Sequence, residues 1–241
     1  MLETFAALLV AHVLADFVFQ NRWMVDNKNR PAGLVTHGAV VLATLVLALG
    51  QIGWPLIWLT LLHLVTDLTK TRMRPGLSAF LVDQALHLAA LGHLATWQPG
   101  LWAQGLWQGA PTLPAMMALL AGAMVATRAG GFAVGLLITP FAAAFPSGET
   151  TEGLPGAGRM IGLLERGLVF ALVLFGQSGG IGLLIAAKSI LRFGAVKDDR
   201  ALSEYVIIGT LASVGWAILA AFATQSLLNG LAPLGILPAT P

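Results

Sequence analysis

The sequence predicts an all-α membrane protein, a polytopic bundle of about eight transmembrane helices. Of its 241 residues, 57% are hydrophobic and only 10% are charged, whereas a soluble domain carries roughly 25% charged residues. Its apolar stretches are about 17–25 residues long, which is the length that crosses a bilayer as a helix. They do not alternate with a period of two, as the strands of a membrane barrel would. The chain has no cysteine, which excludes disulfides, thiolate ligands and a cysteine nucleophile.

Four helices are predicted in the first part of the chain. The connections after the first and third of them contain lysine and arginine, whereas the connection after the second has no charge. Because positively charged loops stay in the cytoplasm, we expect the N-terminus outside. No basic segment precedes the first helix, so we expect it to be retained rather than cleaved as a signal peptide. The four helices are predicted at about residues 2–20, 34–49, 55–70 and 77–97.

The rest of the chain is predicted to form four further helices. The apolar run from about residue 113 to 145 is too long for one straight span, and an arginine, two adjacent glycines and a proline interrupt it. Three more helices are predicted to begin near residues 160, 180 and 204, so that an even number of spans leaves both termini outside. The predicted organisation is therefore a four-helix bundle (1–97), a linker with an irregular helix (98–159) and a three-helix membrane region (160–241).

The main functional signal is a histidine and an aspartate four residues apart, a spacing that occurs three times. Residues four apart lie on the same face of a helix. His37 adds a fourth imidazole at the start of the second apolar run. Since a helix rises 1.5 Å per residue, all seven groups are expected within about 10–15 Å of the cytoplasmic interface. The three pairs are His12 with Asp16, His63 with Asp67, and Asp83 with His87.

Imidazoles and carboxylates that project from facing helices are the means by which bundle cores build metal sites. The seven side chains are therefore predicted to hold one or two divalent ions, with zinc as the first candidate and iron, manganese or nickel also suited. The four histidines would be ligands, and Asp16, Asp67 and Asp83 would be ligands, bridges or the catalytic general base. Two alternatives stay open, a relay for protons or ions and a structural pairing of histidine with aspartate.

Other polar side chains could contact a substrate or a lipid headgroup. Lys70 follows Asp67 by one turn, and it could bind an anion or neutralise that acid. In the second half, the charged residues near the predicted cytoplasmic ends could form ion pairs or a basic pocket for a phosphate or headgroup. The pairs we expect there are Glu165 with Arg192 and Lys188 with Glu204. The full set of substrate or headgroup candidates is Gln20, Lys70, Gln84, Glu165, Arg166, Lys188, Arg192 and Glu204.

Several segments carry a resemblance to a known family. The opening AHVLADFVFQ, which contains an HxxxDFxxQ motif, the segments HLVTDLTK and DQALH, and the later GRMIGLLERG, AAKSILRF and EYVIIGTLAS resemble a bacterial and phage family of multi-pass membrane proteins of unknown function. This resemblance implies the membrane architecture and no reaction. More distantly, the clustered histidines and aspartates resemble the inner-membrane metal-dependent hydrolases of bacteria, although the His-Arg and His-Ser signature of that group is absent.

The leading hypothesis is an integral metalloprotein of the bacterial inner membrane, a hydrolase that acts on a lipid or lipid-linked ester or phosphoester at the cytoplasmic leaflet. A divalent metal lowers the pKa of bound water toward neutrality and polarises such bonds. The alternatives are a transporter coupled to metal ions or protons and a non-catalytic membrane scaffold. The expected partners are membrane lipid and a small or lipid-linked substrate. The net charge of +2 is carried by short loops and gives no reason to expect nucleic acid.

The loop charges make the membrane topology testable, because the absence of native cysteine lets single introduced cysteines report their own exposure. We expect the Asn27→Cys and Arg74→Cys variants to resist an impermeant thiol reagent added to intact cells, since both positions lie in basic loops. The Gln51→Cys variant should react. Labelling at positions 27 and 74 with protection at 51 would place the loops on the opposite sides of the membrane.

Overall fold

The computed structural model describes residues 1–142, 154, 156–196 and 200–236, with only the backbone for 191–196. Helices make up nearly all of the regular structure in these residues, and no strand occurs among them. The chain divides into two compact units. Unit 1 is Met1–Met124 with Ser226–Gly235, and unit 2 is Val125–Gln225 with Ile236–Pro241.

Unit 1 is built around its first helix, which packs against three other helices of the unit. The buried face of this helix is rich in alanine, with Ala6, Ala7 and Ala11 fully buried, and small side chains let neighbouring helices approach closely. The helices of unit 1 are α1 (Leu2–Leu14), which continues as a π-helical turn (Ala15–Phe19), α2 (Arg22–Asp26), α3 (Pro31–Leu49), α4 (Trp54–Thr71), α5 (Leu77–Trp97), a 3-10 turn (Trp102–Gln104) and α6 (Leu113–Met124).

The apolar core of unit 1 lies between α1, α3, α4 and α5. Leu8, Leu45, Leu49 and Leu56 are fully buried in it, and burying a leucine side chain stabilises a fold by about 1.5–3 kcal/mol. Trp102 of the 3-10 turn packs on the same cluster. This core holds the four helices at fixed positions, which is what a site made from several helices requires.

Unit 2 contains a second π-helical turn whose backbone carbonyls accept hydrogen bonds from side chains. Arg166 is buried; its Nε and Nη2 donate to the Thr127 carbonyl at 3.2 and 3.0 Å, and its Nη1 donates to Ser213 Oγ at 3.2 Å. Trp216 Nε1 donates to the Val125 carbonyl at 2.8 Å. Carbonyls that a π-turn leaves out of the α-helical pattern are thereby satisfied. The elements of unit 2 are the π-turn (Val125–Ala129), α7 (Gly130–Ala142), α8 (Ala157–Leu174), α9 (Gly179–Val196) and most of α10 (Arg200–Leu228).

The predicted all-helical class and the positions of the eight long helices agree with the structure. The first helix was predicted as one continuous helix at about residues 2–20. In the structure its last turn, Ala15–Phe19, is π-helical. Among the described residues, five helical segments are long and apolar enough to cross a membrane, rather than the predicted eight. Charged residues in α4 and α8 lower the apolarity of those helices. The five candidate spans are Leu2–Phe19, Pro31–Leu49, Leu77–Trp97, Leu113–Ala142 and Arg200–Leu228.

The segment after α5 is fixed against the end of α3. Gly50 ends α3 in the left-handed conformation with φ of 65°, and its carbonyl accepts a hydrogen bond from the Leu106 amide at 3.1 Å. A Cβ atom at Gly105 would lie 1.8 Å from the Leu49 carbonyl oxygen. This approach of one backbone to another is possible because Gly105 has no side chain.

We expect Gly105→Ala to destabilise unit 1 by about 1–3 kcal/mol, because the methyl group must push the two backbone segments apart. Gly109→Ala is the matched control, since nothing lies within 4 Å of a Cβ atom at that position. The measurement is the midpoint of thermal unfolding of each purified variant, followed by helical circular dichroism. Equal midpoints for the two variants would contradict the close approach at Gly105.

Candidate metal centre

Unit 1 brings together all seven side chains of the three predicted His/Asp pairs and His37. They come from α1, its π-turn, α3, α4 and α5, and their exposed fractions range from 0 to 8%. Burying ionisable groups in a membrane protein is costly unless they are paired or bind an ion. The side chains are His12, Asp16, His37, His63, Asp67, Asp83 and His87.

Four ligand atoms of this cluster converge, and we call them the four-donor group: His37 Nε2, His63 Nε2, Asp16 Oδ1 and Asp67 Oδ2. The two imidazole nitrogens are 3.0 Å apart. His37 Nε2 lies 3.4 Å from Asp16 Oδ1 and 3.2 Å from Asp67 Oδ2. His63 Nε2 lies 3.2 Å from Asp16 Oδ1 and 3.9 Å from Asp67 Oδ2.

These distances match the edges of a tetrahedron around a zinc-sized ion. Zinc bonds to imidazole nitrogen and carboxylate oxygen are about 2.0–2.1 Å long, so the donors of a regular tetrahedral site are about 3.3–3.4 Å apart. Five of the six donor–donor distances lie between 3.0 and 3.9 Å, with a mean of about 3.3 Å. These five distances and the types of donor atom are compatible with zinc.

The two carboxylate oxygens of the four-donor group lack hydrogen-bond partners. Among the described residues, neither Asp16 Oδ1 nor Asp67 Oδ2 accepts a hydrogen bond, although an imidazole nitrogen lies 3.2 Å from each. A buried acceptor without a partner costs about 1–3 kcal/mol, and more when it is charged. A cation at the centre of the group would satisfy both oxygens.

The other oxygens of two aspartates are held by lysines. Lys28 Nζ donates to Asp67 Oδ1 at 2.8 Å, and Lys70 Nζ donates to Asp83 Oδ2 at 2.7 Å. Of the two roles left open for Lys70, the structure shows neutralisation of an acid, but the acid is Asp83 rather than Asp67, because the end of α4 packs on α5, where Asp83 lies. Sequence reasoning assigned Lys28 to a topology-determining loop and missed its place here, since no local spacing links it to a residue 39 positions away.

Hydrogen bonds around the cluster set the tautomers of two histidines. The Gln84 amide donates from Nε2 to Asp83 Oδ2 at 3.0 Å, so its Oε1 accepts from His12 Nε2 at 3.3 Å and His12 Nδ1 keeps its lone pair. His87 Nδ1 donates to the Asp83 carbonyl at 2.8 Å, which leaves the lone pair on His87 Nε2. An imidazole that donates from one nitrogen and presents a lone pair on the other has the form of a metal ligand.

A small cavity opens beside these imidazoles. The volume open to the centre of a water molecule is about 10 Å³, which is close to the room that one water needs. The amide nitrogen of Gln20 borders the cluster on another side, at 3.1 Å from His37 Nε2. The cavity is lined by His12, Val41, Leu45, Leu59, His63, Thr66, His87, Ala90 and Leu91.

The charged candidates of the second half have protein partners that differ from those expected. Lys188 Nζ donates to Glu165 at 2.7 Å, rather than to Glu204, because α8 and α9 are adjacent. Glu204 accepts from Arg200, four residues earlier on the same helix, at 2.9 Å. Arg166 donates to a backbone carbonyl and a serine, as described above, and the side chain of Arg192 lies outside the described residues. In the described part of unit 2, Glu165, Lys188 and Glu204 therefore take part in ion pairs, which is one of the two roles predicted for the charged residues there.

Comparison with known proteins gives a match to one family and no activity. The fold and the cluster define a helical protein with several membrane-compatible helices and a buried His/Asp site. Residues 4–104 match the model of a family described as "Protein of unknown function (DUF3307)". The match covers less than half of the chain, but it includes all seven side chains and the two lysines. No curated protein and no solved structure matches the chain.

We expect His63→Ala to lose bound divalent metal, because His63 belongs to two of the three groups of side chains that could hold an ion. Asp67→Asn should weaken binding by about 10–100-fold if Asp67 only orients a histidine ligand, and by more if Asp67 Oδ2 itself binds the ion as a member of the four-donor group. His93→Ala is the matched control, because His93 is exposed on α5. The measurement is elemental analysis of the purified variants after dialysis against zinc. Equal zinc content in wild type and His63→Ala would exclude His63 as a ligand.

Proposed function

We propose that unit 1 binds a divalent metal ion, with zinc as the first candidate, and hydrolyses an ester or phosphoester of a lipid or lipid-linked molecule. The observation that supports this best is the four-donor group: five of its six donor–donor distances are compatible with a tetrahedral site, and its two carboxylate oxygens have no hydrogen-bond partner among the described residues. In such a site, a divalent ion generates a nucleophile from water near neutral pH and polarises the bond to be broken. Hydrolysis also needs a general base and a place for the substrate, and the aspartates and lysines of the cluster are the candidates for these roles.

The charge of the cluster favours an anionic ligand. With the histidines neutral, three carboxylates and the ammonium groups of Lys28 and Lys70 leave one net negative charge. One divalent ion changes this to one net positive charge, which hydroxide or an anionic substrate can balance. A phosphoester meets this requirement better than a neutral ester, because uncompensated charge is costly in a buried site.

Asp83 is the best candidate for the general base. Its Oδ1 is buried and has no hydrogen-bond partner among the described residues, whereas its Oδ2 is held by Lys70 and Gln84. These two contacts fix the carboxylate while leaving one oxygen able to accept a proton. A general base needs this combination of fixed geometry and a free acceptor.

The two lysines connect the buried cluster to the surface. The side chain of Lys70 is 33% exposed and that of Lys28 is 13% exposed, and each contacts a nearly inaccessible carboxylate. An anionic headgroup that approaches this end of the bundle would meet both ammonium groups. Basic loops lie on the cytoplasmic side of membrane proteins, so we place the reaction at the cytoplasmic leaflet of a bacterial inner membrane.

One observation supports a carrier as the second candidate. The three groups that could hold an ion overlap, with His63 shared by two of them and Asp67 shared by two. Overlapping sites let an ion move from one set of ligands to the next, as conduction requires. A carrier of metal ions or protons must release its ion, whereas a hydrolase keeps its metal through turnover. A non-catalytic scaffold has no comparable support among the described residues.

The test of hydrolysis is product release from a panel of phospholipids and lipid-linked phosphates by the zinc-loaded protein. We expect Asp83→Asn to keep the ion of the four-donor group and to lose at least about 100-fold in rate, because a general base contributes about 10²–10⁴-fold. The His93→Ala variant should match the wild type. A chelator should abolish product release, and added zinc should restore it.

Two outcomes would contradict the proposed hydrolase. One is product release by Asp83→Asn at the wild-type rate. The other is zinc-dependent ion flux in proteoliposomes that needs no ester, together with no release from any member of the panel. The second result would favour the carrier, because flux without substrate requires that the ion itself crosses the membrane.

A further inference from the structure

We infer that the cluster holds two ions rather than one, with Asp67 shared between them, and that its substrate is accordingly a phosphoester. This inference rests on the metal-binding part of the proposed function. The cluster contains further unpartnered polar atoms outside the four-donor group. Five buried side-chain polar atoms lack a hydrogen-bond partner in the described chain, and the four-donor group accounts for two of them.

The three remaining atoms are His12 Nδ1, Asp83 Oδ1 and His87 Nε2. Each belongs to a side chain that is at least nine-tenths buried. They are the types of atom that bind zinc or manganese, two imidazole lone pairs and a carboxylate oxygen. With a second ion bound, Asp83 Oδ1 is its ligand rather than the general base of the one-ion site, and the ion would take over the activation of water. Buried polar atoms normally have partners, and Asp83 and His87 belong to one group of side chains that could hold an ion, so their two unpartnered atoms indicate a missing ligand.

The positions of these atoms define a second group. Ligand atoms of Asp67, Asp83 and His87 all lie within 4.8 Å of one another. His12 is beside them, because its ring stacks on that of His87 with centroids 5.0 Å apart. Three protein donors are the number found in catalytic zinc sites, where a fourth position stays open for water. His87 also lines the water-sized cavity, together with His12 and His63.

The surrounding hydrogen bonds prepare these atoms for an ion. Lys70 and Gln84 both contact Asp83 Oδ2, which directs Oδ1 away from them. The Gln84 amide oxygen accepts a hydrogen bond from His12 Nε2, and the Asp83 backbone carbonyl accepts one from His87 Nδ1. Each contact leaves free the atom that a second ion needs, and supporting contacts of this kind orient the ligands of known metal sites.

Asp67 links the two groups. It is a member of the group with His37 and His63 and of the group with Asp83 and His87. The rings of His63 and His87, one from each group, have centroids only 4.2 Å apart. A carboxylate shared by two ions is common in sites where the ions lie about 3.5–4 Å apart and act together on a phosphoester.

A second divalent ion makes the anionic requirement stronger. With Lys28 and Lys70 in place, two ions give the cluster three net positive charges in a buried position. Hydroxide and the phosphate group of a substrate supply negative charge at the same place, whereas a neutral carboxylic ester does not. Inorganic phosphate should therefore increase the occupancy of the second ion.

The experiment measures the number of ions per chain by elemental analysis, in saturating zinc with and without inorganic phosphate. We expect two ions in wild type and in His93→Ala, and one in His87→Ala. Asp83→Asn serves as the second variant if His87→Ala does not give a helical, monodisperse protein. With Mn²⁺ in place of zinc, the electron paramagnetic resonance spectrum of wild type should show magnetic coupling between neighbouring ions, and His87→Ala should show isolated Mn²⁺.

A single ion in wild type under every condition, or equal stoichiometry in wild type and His87→Ala, would overturn the second ion. Failures of this inference and of the hydrolase proposal are distinguishable. Two coupled ions without hydrolysis of any lipid in the panel would support the two-ion site and contradict the hydrolase. One ion with zinc-dependent hydrolysis would support the hydrolase and contradict the second ion.

Discussion

Three aspartates buried next to one another are the constraint on which the architecture of unit 1 depends. Like charges at this separation repel, and their removal from water costs several kcal/mol for each group. A lysine from the loop before α3, a lysine from the last turn of α4, a glutamine and four imidazoles surround the carboxylates. These contacts reach across α1 with its π-turn, α3, α4 and α5. The helices therefore depend on the polar cluster for their mutual positions as much as on the leucine core beside it. An ion that completes the cluster would strengthen the whole bundle, because ligand binding to the folded state stabilises it.

The helices could be predicted from the sequence because their apolar runs and charged connections are local features. The i,i+4 spacing also predicted that the histidine and the aspartate of each pair lie on one helix face. In the first pair, His12 Nδ1 lies 3.8 Å from Asp16 Oδ2. Contacts between helices were harder to foresee. The partner of Lys70 depends on how α4 and α5 pack, and the partner of Lys28 depends on a loop that folds back over α4. No periodicity in the sequence encodes either contact.

Unit 2 illustrates why charge alone is a weak guide to function. Its arginine, glutamate and lysine residues near helix ends suggested a headgroup pocket, but Glu165 and Lys188 neutralise each other. Arg166 instead fills a space shaped by glycine: Cβ atoms at Gly131 and Gly162 would lie 3.1 and 3.0 Å from its guanidinium nitrogens. Its donors are used by the carbonyl of a π-turn and by a serine. Predicting this role requires knowing that the helix widens there, which composition does not reveal.

The π-turn at Ala15–Phe19 sets the phase of the chain that follows it. A π-turn holds one residue more than an α-turn, and each residue of an α-helix advances its direction by about 100°. Loss of one residue between Asp16 and Gln20 would let the turn relax to an α-helix, and the chain would then leave the bundle in another direction. The loop that carries Lys28 would no longer face Asp67. A deletion of one residue in this short stretch would therefore separate Lys28 from Asp67, a carboxylate on another helix, although no side chain of that ion pair has been changed.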